Sequence, residues 1–204
     1  MASKIKVDQL ETADGSGTIA LQNQLSGMTT ASLPALGSAQ MPTGSVLHVV
    51  TGELTSHVQM ATQSWQDTGL SGTITPSSTS SKILITVSFG KAQTTQSNGY
   101  HTYSMRLLRN SSDSDLNGVA DGSRPRALFS QGGHSYNASH SMGGFSITGL
   151  DAPATTSAIT YKVQAWPQSS SYPLILNGVS NNANDANTYH SRTKAIITMM
   201  EIAG

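Results

Sequence analysis

The chain has 204 residues, 36% hydrophobic and only 11% charged, with eleven basic and eleven acidic side chains and no formal net charge. Such a balance has no excess to neutralise a phosphate backbone, so no nucleic-acid partner is expected, and the absence of cysteine excludes disulfides and thiolate sites. No stretch approaches the roughly 20 apolar residues of a membrane span, so no membrane insertion is expected, and the opening residues lack the apolar core of a signal peptide.

Residues 1–43 are polar, with sparse apolar anchors at Ile5, Val7, Leu10, Ile19, Leu21, Leu25 and Met28. Residues 5–10 and 18–22 alternate in part, and the run Asp14-Gly15-Ser16-Gly17 between them is a turn signal. The pattern predicts a hairpin, or two strands added to a partner's sheet, because two isolated strands are marginal in water. Residues 1–28 are therefore read as an extended docking leader and 29–44, with Leu33-Pro34 and Met41-Pro42, as a linker. Residues 45–204 form the distal domain.

That domain opens with strand-like runs at 45–50, 55–61 and 65–75, followed by a polar loop at 76–81. Residues 82–89 are the strongest strand, β-branched and bounded by Ser and Gly. Residues 100–109 alternate so that Tyr103, Met105 and Leu107 share a face. Residues 110–126 read as a long polar loop with no strand signal. Further strands are expected at 127–130, 142–148, 159–166, 173–176 and 195–202. No window sustains a 3.6-residue period, so little helix is expected. About eight to ten short strands at this spacing predict an all-β fold, an antiparallel β-sandwich of jelly-roll type.

The sharpest local motif is Asp113, Asp115, Asn117, Gly118 and Asp121. Oxygens at alternate positions followed by a glycine match the first half of a calcium loop, with Asp121 at the ninth position. The twelfth position, where a bidentate glutamate belongs, is Arg124, and such residues also fill ordinary surface loops. Calcium is the one cofactor these residues suggest. The six histidines show no helical metal spacing. No Gly-x-Ser-x-Gly elbow is present, and nothing in the sequence pairs Asp113, Asp115, Asp121, Asp151 or Asp185 for glycoside hydrolysis. An enzyme is not expected.

Aromatic residues flank amide- and hydroxyl-rich stretches at Tyr136 and Asn137, at Trp166 and Tyr172, and at Asn181, Asn182 and Tyr189. Rings stack on sugar C–H faces while amides bind hydroxyls, which makes these candidate glycan contacts. The same rings serve equally as strand-end core.

Residues 3–12 and 17–21, together with 42–50, 74–85, 151–164 and 197–202, resemble virion appendage proteins of tailed bacteriophages. The resemblance is greatest to the short fibre-like proteins of marine and cyanobacterial phages, and it leaves out residues 110–144. It implies a homotrimer with a β-sandwich head at the virion surface, made in the host cytoplasm. The leader would dock on a tail or capsid protein through Ile5, Val7, Leu10, Ile19 and Leu21. The expected function is thus a structural tail or head fibre whose loops at 110–126, 131–140 and 177–190 meet a host-surface glycan. A capsid decoration protein is the alternative. A glycan-degrading tailspike is the third reading, disfavoured because the chain has little room for a long groove.

Overall fold

Alternating apolar and polar residues become paired strands in the computed structural model, which describes residues 37, 40–94, 101–133, 143–179, 181–182 and 184–204. In chain order the strands are β1 (Val46–Leu54), β2 (Val58–Met60), β3 (Gln66–Ile74), β4 (Lys82–Thr94), β5 (His101–Arg109) and β6 (Ser112–Asp113). They continue with β7 (Phe129–Gly133), β8 (Gly143–Asp151), β9 (Ile159–Pro167), β10 (Leu174–Leu176) and β11 (Ala195–Ile202). A 3-10 turn covers Thr188–His190, and no α-helix occurs among the described residues. The leader, including Ile5, Val7, Leu10, Ile19 and Leu21, lies outside the described residues, as do Tyr100, Tyr136 and Asn137.

All strand pairings among the described residues are antiparallel. The first sheet runs β1-β11-β4-β8, with β2 and β10 continuing the β1 and β11 positions along the far half of β4. The second runs β3-β9-β5-β7, with β6 beside the last residues of β5. The chain crosses repeatedly between the two sheets, as in a jelly roll, and the antiparallel sandwich is the fold that the strand spacing predicted.

The period of two decides which side chains enter the core. Ile83, Ile85, Val87 and Phe89 point inward from β4, and Ala195, Ile197 and Met199 from β11. Across from them stand Tyr103, Met105 and Leu107 of β5 and Ile159, Tyr161, Val163 and Ala165 of β9. The shared face expected for Tyr103, Met105 and Leu107 is therefore a core face. At one side of the sandwich β1 and β3 come together at Gly52, where a Cβ would lie 1.8 Å from the Ser71 carbonyl oxygen. At the other, Phe129 of β7 stacks on Phe145 of β8 with ring centroids 3.9 Å apart.

Three expectations need correction. Residues 110–126 are not strand-free: Ser112–Asp113 pairs with Leu108 and Arg109, and Ser114 and Asn117 are buried. The run at 55–61 shortens to Val58–Met60. The strand expected to end at Phe89 continues to Thr94 through a register shift between Phe89 and Ala92, which buries Lys91 and Gln93.

Candidate functional site

The two sheets present different outer faces. On the second, β9 turns Thr160, Lys162, Gln164 and Trp166 outward, while β5 contributes Thr102, Ser104 and Arg106. Antiparallel register sets Gln164 beside Arg106 on one side, and β3 carries Asp67 to its other side. Gln164 Nε2 donates to Asp67 Oδ1 at 2.6 Å, and Arg106 Nε and Nη2 donate to Gln164 Oε1 at 2.9 and 2.7 Å. Lys162 Nζ adds a bond to Asp67 Oδ2 at 3.0 Å. The Gln164 bond chiefly holds the Asp67 carboxyl below its ordinary range, with burial opposing and Lys162 adding to the fall.

This charged row braces an aromatic pair. Arg106, held also by Asp113 Oδ1 at 3.2 Å, places its guanidinium 4.6 Å from the centre of the Trp65 ring. Trp65 meets Trp166 nearly edge-on, with centroids 5.5 Å apart at 76°. The chain contains only these two tryptophans. They meet because Gln66 pairs with Ala165, which brings the start of β3 beside the end of β9.

Beside Trp166 lies a cleft of about 290 Å3, lined also by Gln63, Thr102, Ser104, Pro125 and Gln168. Gln168 Oε1 accepts from the Thr102 N–H at 2.9 Å and from its hydroxyl at 3.1 Å. That fixes the amide so that Nε2 remains a donor for a ligand. Gln63 Nε2 donates to the Gln168 carbonyl oxygen, which leaves Gln63 Oε1 as an acceptor. Ser104 Oγ, 3.1 Å from Ser130 Oγ, supplies a hydroxyl. A ring, an amide donor, an amide acceptor and a hydroxyl around one small cleft suit a polyhydroxylated, uncharged ligand.

Of the residues singled out for sugar, the cleft holds Trp166 alone. Tyr172 is half-buried before β10, and Asn181 and Asn182 are exposed after it, none of them lining the cleft. The side chain of Tyr189 lies outside the described residues, with Tyr136 and Asn137.

The calcium loop does not assemble. Asn117 Oδ1 accepts the Leu107 N–H at 2.9 Å, and its Nδ2 donates to the Leu107 carbonyl at 2.8 Å, so it acts as a strand edge for β5. Asp113 faces Arg106 and Asn117, Asp115 lies 3.8 Å from Arg109 with its side chain 81% exposed, and Asp121 pairs with Arg124. Of the four only Asp113 and Asn117 meet, and there Asn117 offers its amide nitrogen, not its oxygen. Among the described residues, no group of three His, Asp or Glu side chains is placed to hold a metal ion.

One further constellation joins a serine, a histidine and an acid. Glu201 Oε2 meets His48 Nδ1 at 2.9 Å, while Oε1 accepts from the Ser77 N–H, the Ser77 hydroxyl and the Ser81 hydroxyl, each at 2.7 Å. In a nucleophilic triad the imidazole stands between acid and hydroxyl. Here both hydroxyls donate straight to the acid, an arrangement that anchors the loop before β4. No protein-family profile matches the chain, and no curated protein is significantly similar to it in sequence.

Proposed function

We propose that the chain is a structural virion appendage of a tailed bacteriophage, a tail or head fibre whose β-sandwich head holds host-surface glycan. The observation that supports this reading most is the Trp166 cleft. It offers a ring, the Gln168 Nε2 donor and the Gln63 Oε1 acceptor, with the aromatic pair braced by Arg106. A cleft this small binds one or two sugar residues weakly, and a homotrimer, repeated over a particle, multiplies weak contacts into firm attachment. In this reading residues 1–28 dock on the tail or capsid through Ile5, Val7, Leu10, Ile19 and Leu21.

The test is binding of the full-length chain to purified host polysaccharide, measured by calorimetry beside the Trp166→Ala and Gln168→Ala variants. Saturable binding that both variants reduce at least tenfold is expected. Folded variants that bind as well as the wild type would overturn the sugar role of the cleft. Deleting residues 1–28 should leave a head that still binds glycan and no longer enters particles.

A further inference from the structure

Two oxygens of the Trp166 cleft can only accept hydrogen bonds. Gln168 is clamped to Thr102 twice over. Its backbone N–H donates to the Thr102 carbonyl oxygen at 3.0 Å, and its side-chain oxygen takes the Thr102 N–H and hydroxyl at 2.9 and 3.1 Å. Because a backbone N–H can only donate, Oε1 and not Nε2 must face it, which settles the orientation of this amide. The Thr102 hydroxyl has one proton, and that proton is spent on Gln168. Its oxygen is left with lone pairs alone.

Gln63 is fixed by the same logic. Its amide meets the Gln168 carbonyl oxygen, an obligate acceptor, so the nitrogen faces that carbonyl and Oε1 is the free end. Neither Gln63 Oε1 nor Thr102 Oγ1 receives a bond among the described residues. The opposite polarity comes from Gln168 Nε2, which has only protons to give. Ser104 shares one bond with Ser130 at 3.1 Å and can give or take, so it selects nothing. No charged side chain lines the cleft among the described residues, which leaves the direction of hydrogen bonding to decide what fits.

A ligand that displaces water from the two acceptor oxygens must bring a proton to each, or leave them unpaired. A sugar hydroxyl meets that demand, since it donates to Gln63 or Thr102 while its own oxygen accepts from Gln168 Nε2. An ester or ether oxygen still accepts from Gln168 but has nothing to donate. Sites that hydrogen-bond a ligand hydroxyl reject analogues lacking it far more strongly than apolar pockets reject a change of size.

We propose that the Trp166 cleft selects sugars that present free hydroxyls and refuses the same sugars once those hydroxyls are acylated or alkylated, so that O-acylation of a host glycan blocks attachment. The inference rests on the sugar reading of the cleft and adds to it the direction of the hydrogen bonds.

The probe is purified host polysaccharide, first freed of esters by mild alkali, then divided into untreated, O-acetylated and O-methylated portions. Calorimetry on the full-length chain should show binding to the untreated portion and a loss of about tenfold or more with both derivatives. Alkali, which removes the acetyl groups, should restore binding to the acetylated portion. The Gln63→Met/Thr102→Val variant lacks both acceptors at nearly unchanged size. It should bind the untreated portion more weakly and lose most of the preference over the methylated one. Untreated and methylated portions bound to within about twofold by the wild type would overturn the proposal while the sugar reading stands. A preference over the methylated portion that survives in the folded double variant would do the same, as would refusal of the acetylated portion alone, which would assign selection to size. No binding of any portion would overturn the sugar reading and this inference with it.

Discussion

Ser81 Oγ donates to Glu201 Oε1 at 2.7 Å where the carboxylate is wholly enclosed by protein. Glu201 takes the inward position on β11 that follows Ala195, Ile197 and Met199, so a charged group continues an apolar series. Burial pushes its pKa up, but the bonds from Ser81, from the Ser77 N–H and hydroxyl, and from His48 outweigh that. The net value is below the ordinary 4.5. A folded-state pKa below the unfolded one means a contribution fully present above the unfolded value and lost as pH falls through the folded one. The melting temperature should therefore fall steadily as pH drops below about 4.5. Glu201→Gln should lower stability at pH 7 by about 2 kcal/mol and flatten part of that acid slope, as read from thermal melts across pH. An unchanged slope would assign acid sensitivity to Asp67 and the other carboxylates.

Asp151 ends β8 beneath a second buried network. Arg109 Nη1 donates to both of its oxygens at 2.8 and 3.0 Å, and the Tyr161 hydroxyl donates at 2.5 Å. Burial foremost, then the Asp151 bond and charge, raise the Tyr161 phenol well above its usual range, so it stays a donor at every ordinary pH. Asp151→Ala leaves a guanidinium and a buried hydroxyl without their acceptor. It should cost about 3 kcal/mol by urea denaturation, the partial exposure of Arg109 tempering the loss. Tyr161→Phe, which removes one donor and keeps the ring, should cost about 1 kcal/mol.

The strands were legible because burial on one face imposes a period of two, which β4, β5, β9 and β11 display openly. Residues 110–126 misled for a physical reason. Asn117 imitates a strand edge with its side-chain amide, pairing with Leu107 where a backbone would, and the composition of such a turn equals that of a cation loop. Trp166 stood out, but Gln63, Thr102 and Gln168 did not. They lie far apart in the chain and meet only through the register that sets Tyr103 against Pro167. The available signal was the pairing of the only two tryptophans, at the start of one strand and the end of another.

Gly52 is required by the contact between β1 and β3. An added methyl would lie 1.8 Å from the Ser71 carbonyl oxygen, and neither partner is a flexible side-chain tip that can swing away. Gly52→Ala should therefore cost about 3 kcal/mol or more by forcing the two strands apart. Gly118→Ala, whose methyl would approach nothing nearer than the Ala127 carbonyl at 3.5 Å, should change stability by less than about 1 kcal/mol. Comparable losses at the two positions would mean that backbone freedom, and not the close approach at Gly52, sets the cost.

Gln93 runs the opposite way. It follows the register shift in β4 and stands across from Ile175, only 2% exposed, with neither amide atom engaged in a hydrogen bond among the described residues. A buried amide without partners costs roughly 1–3 kcal/mol relative to hydration. Methionine has nearly the same length and flexibility and no group that needs a partner. Gln93→Met should thus raise stability by about 1 kcal/mol, seen as a higher urea midpoint at constant slope. The equally long Gln93→Lys, which buries a charge in place of an amide, should lower it. A less stable methionine variant would mean that the amide is hydrogen-bonded in the folded protein, and would make this end of β4 a place to look for a bound water or ligand.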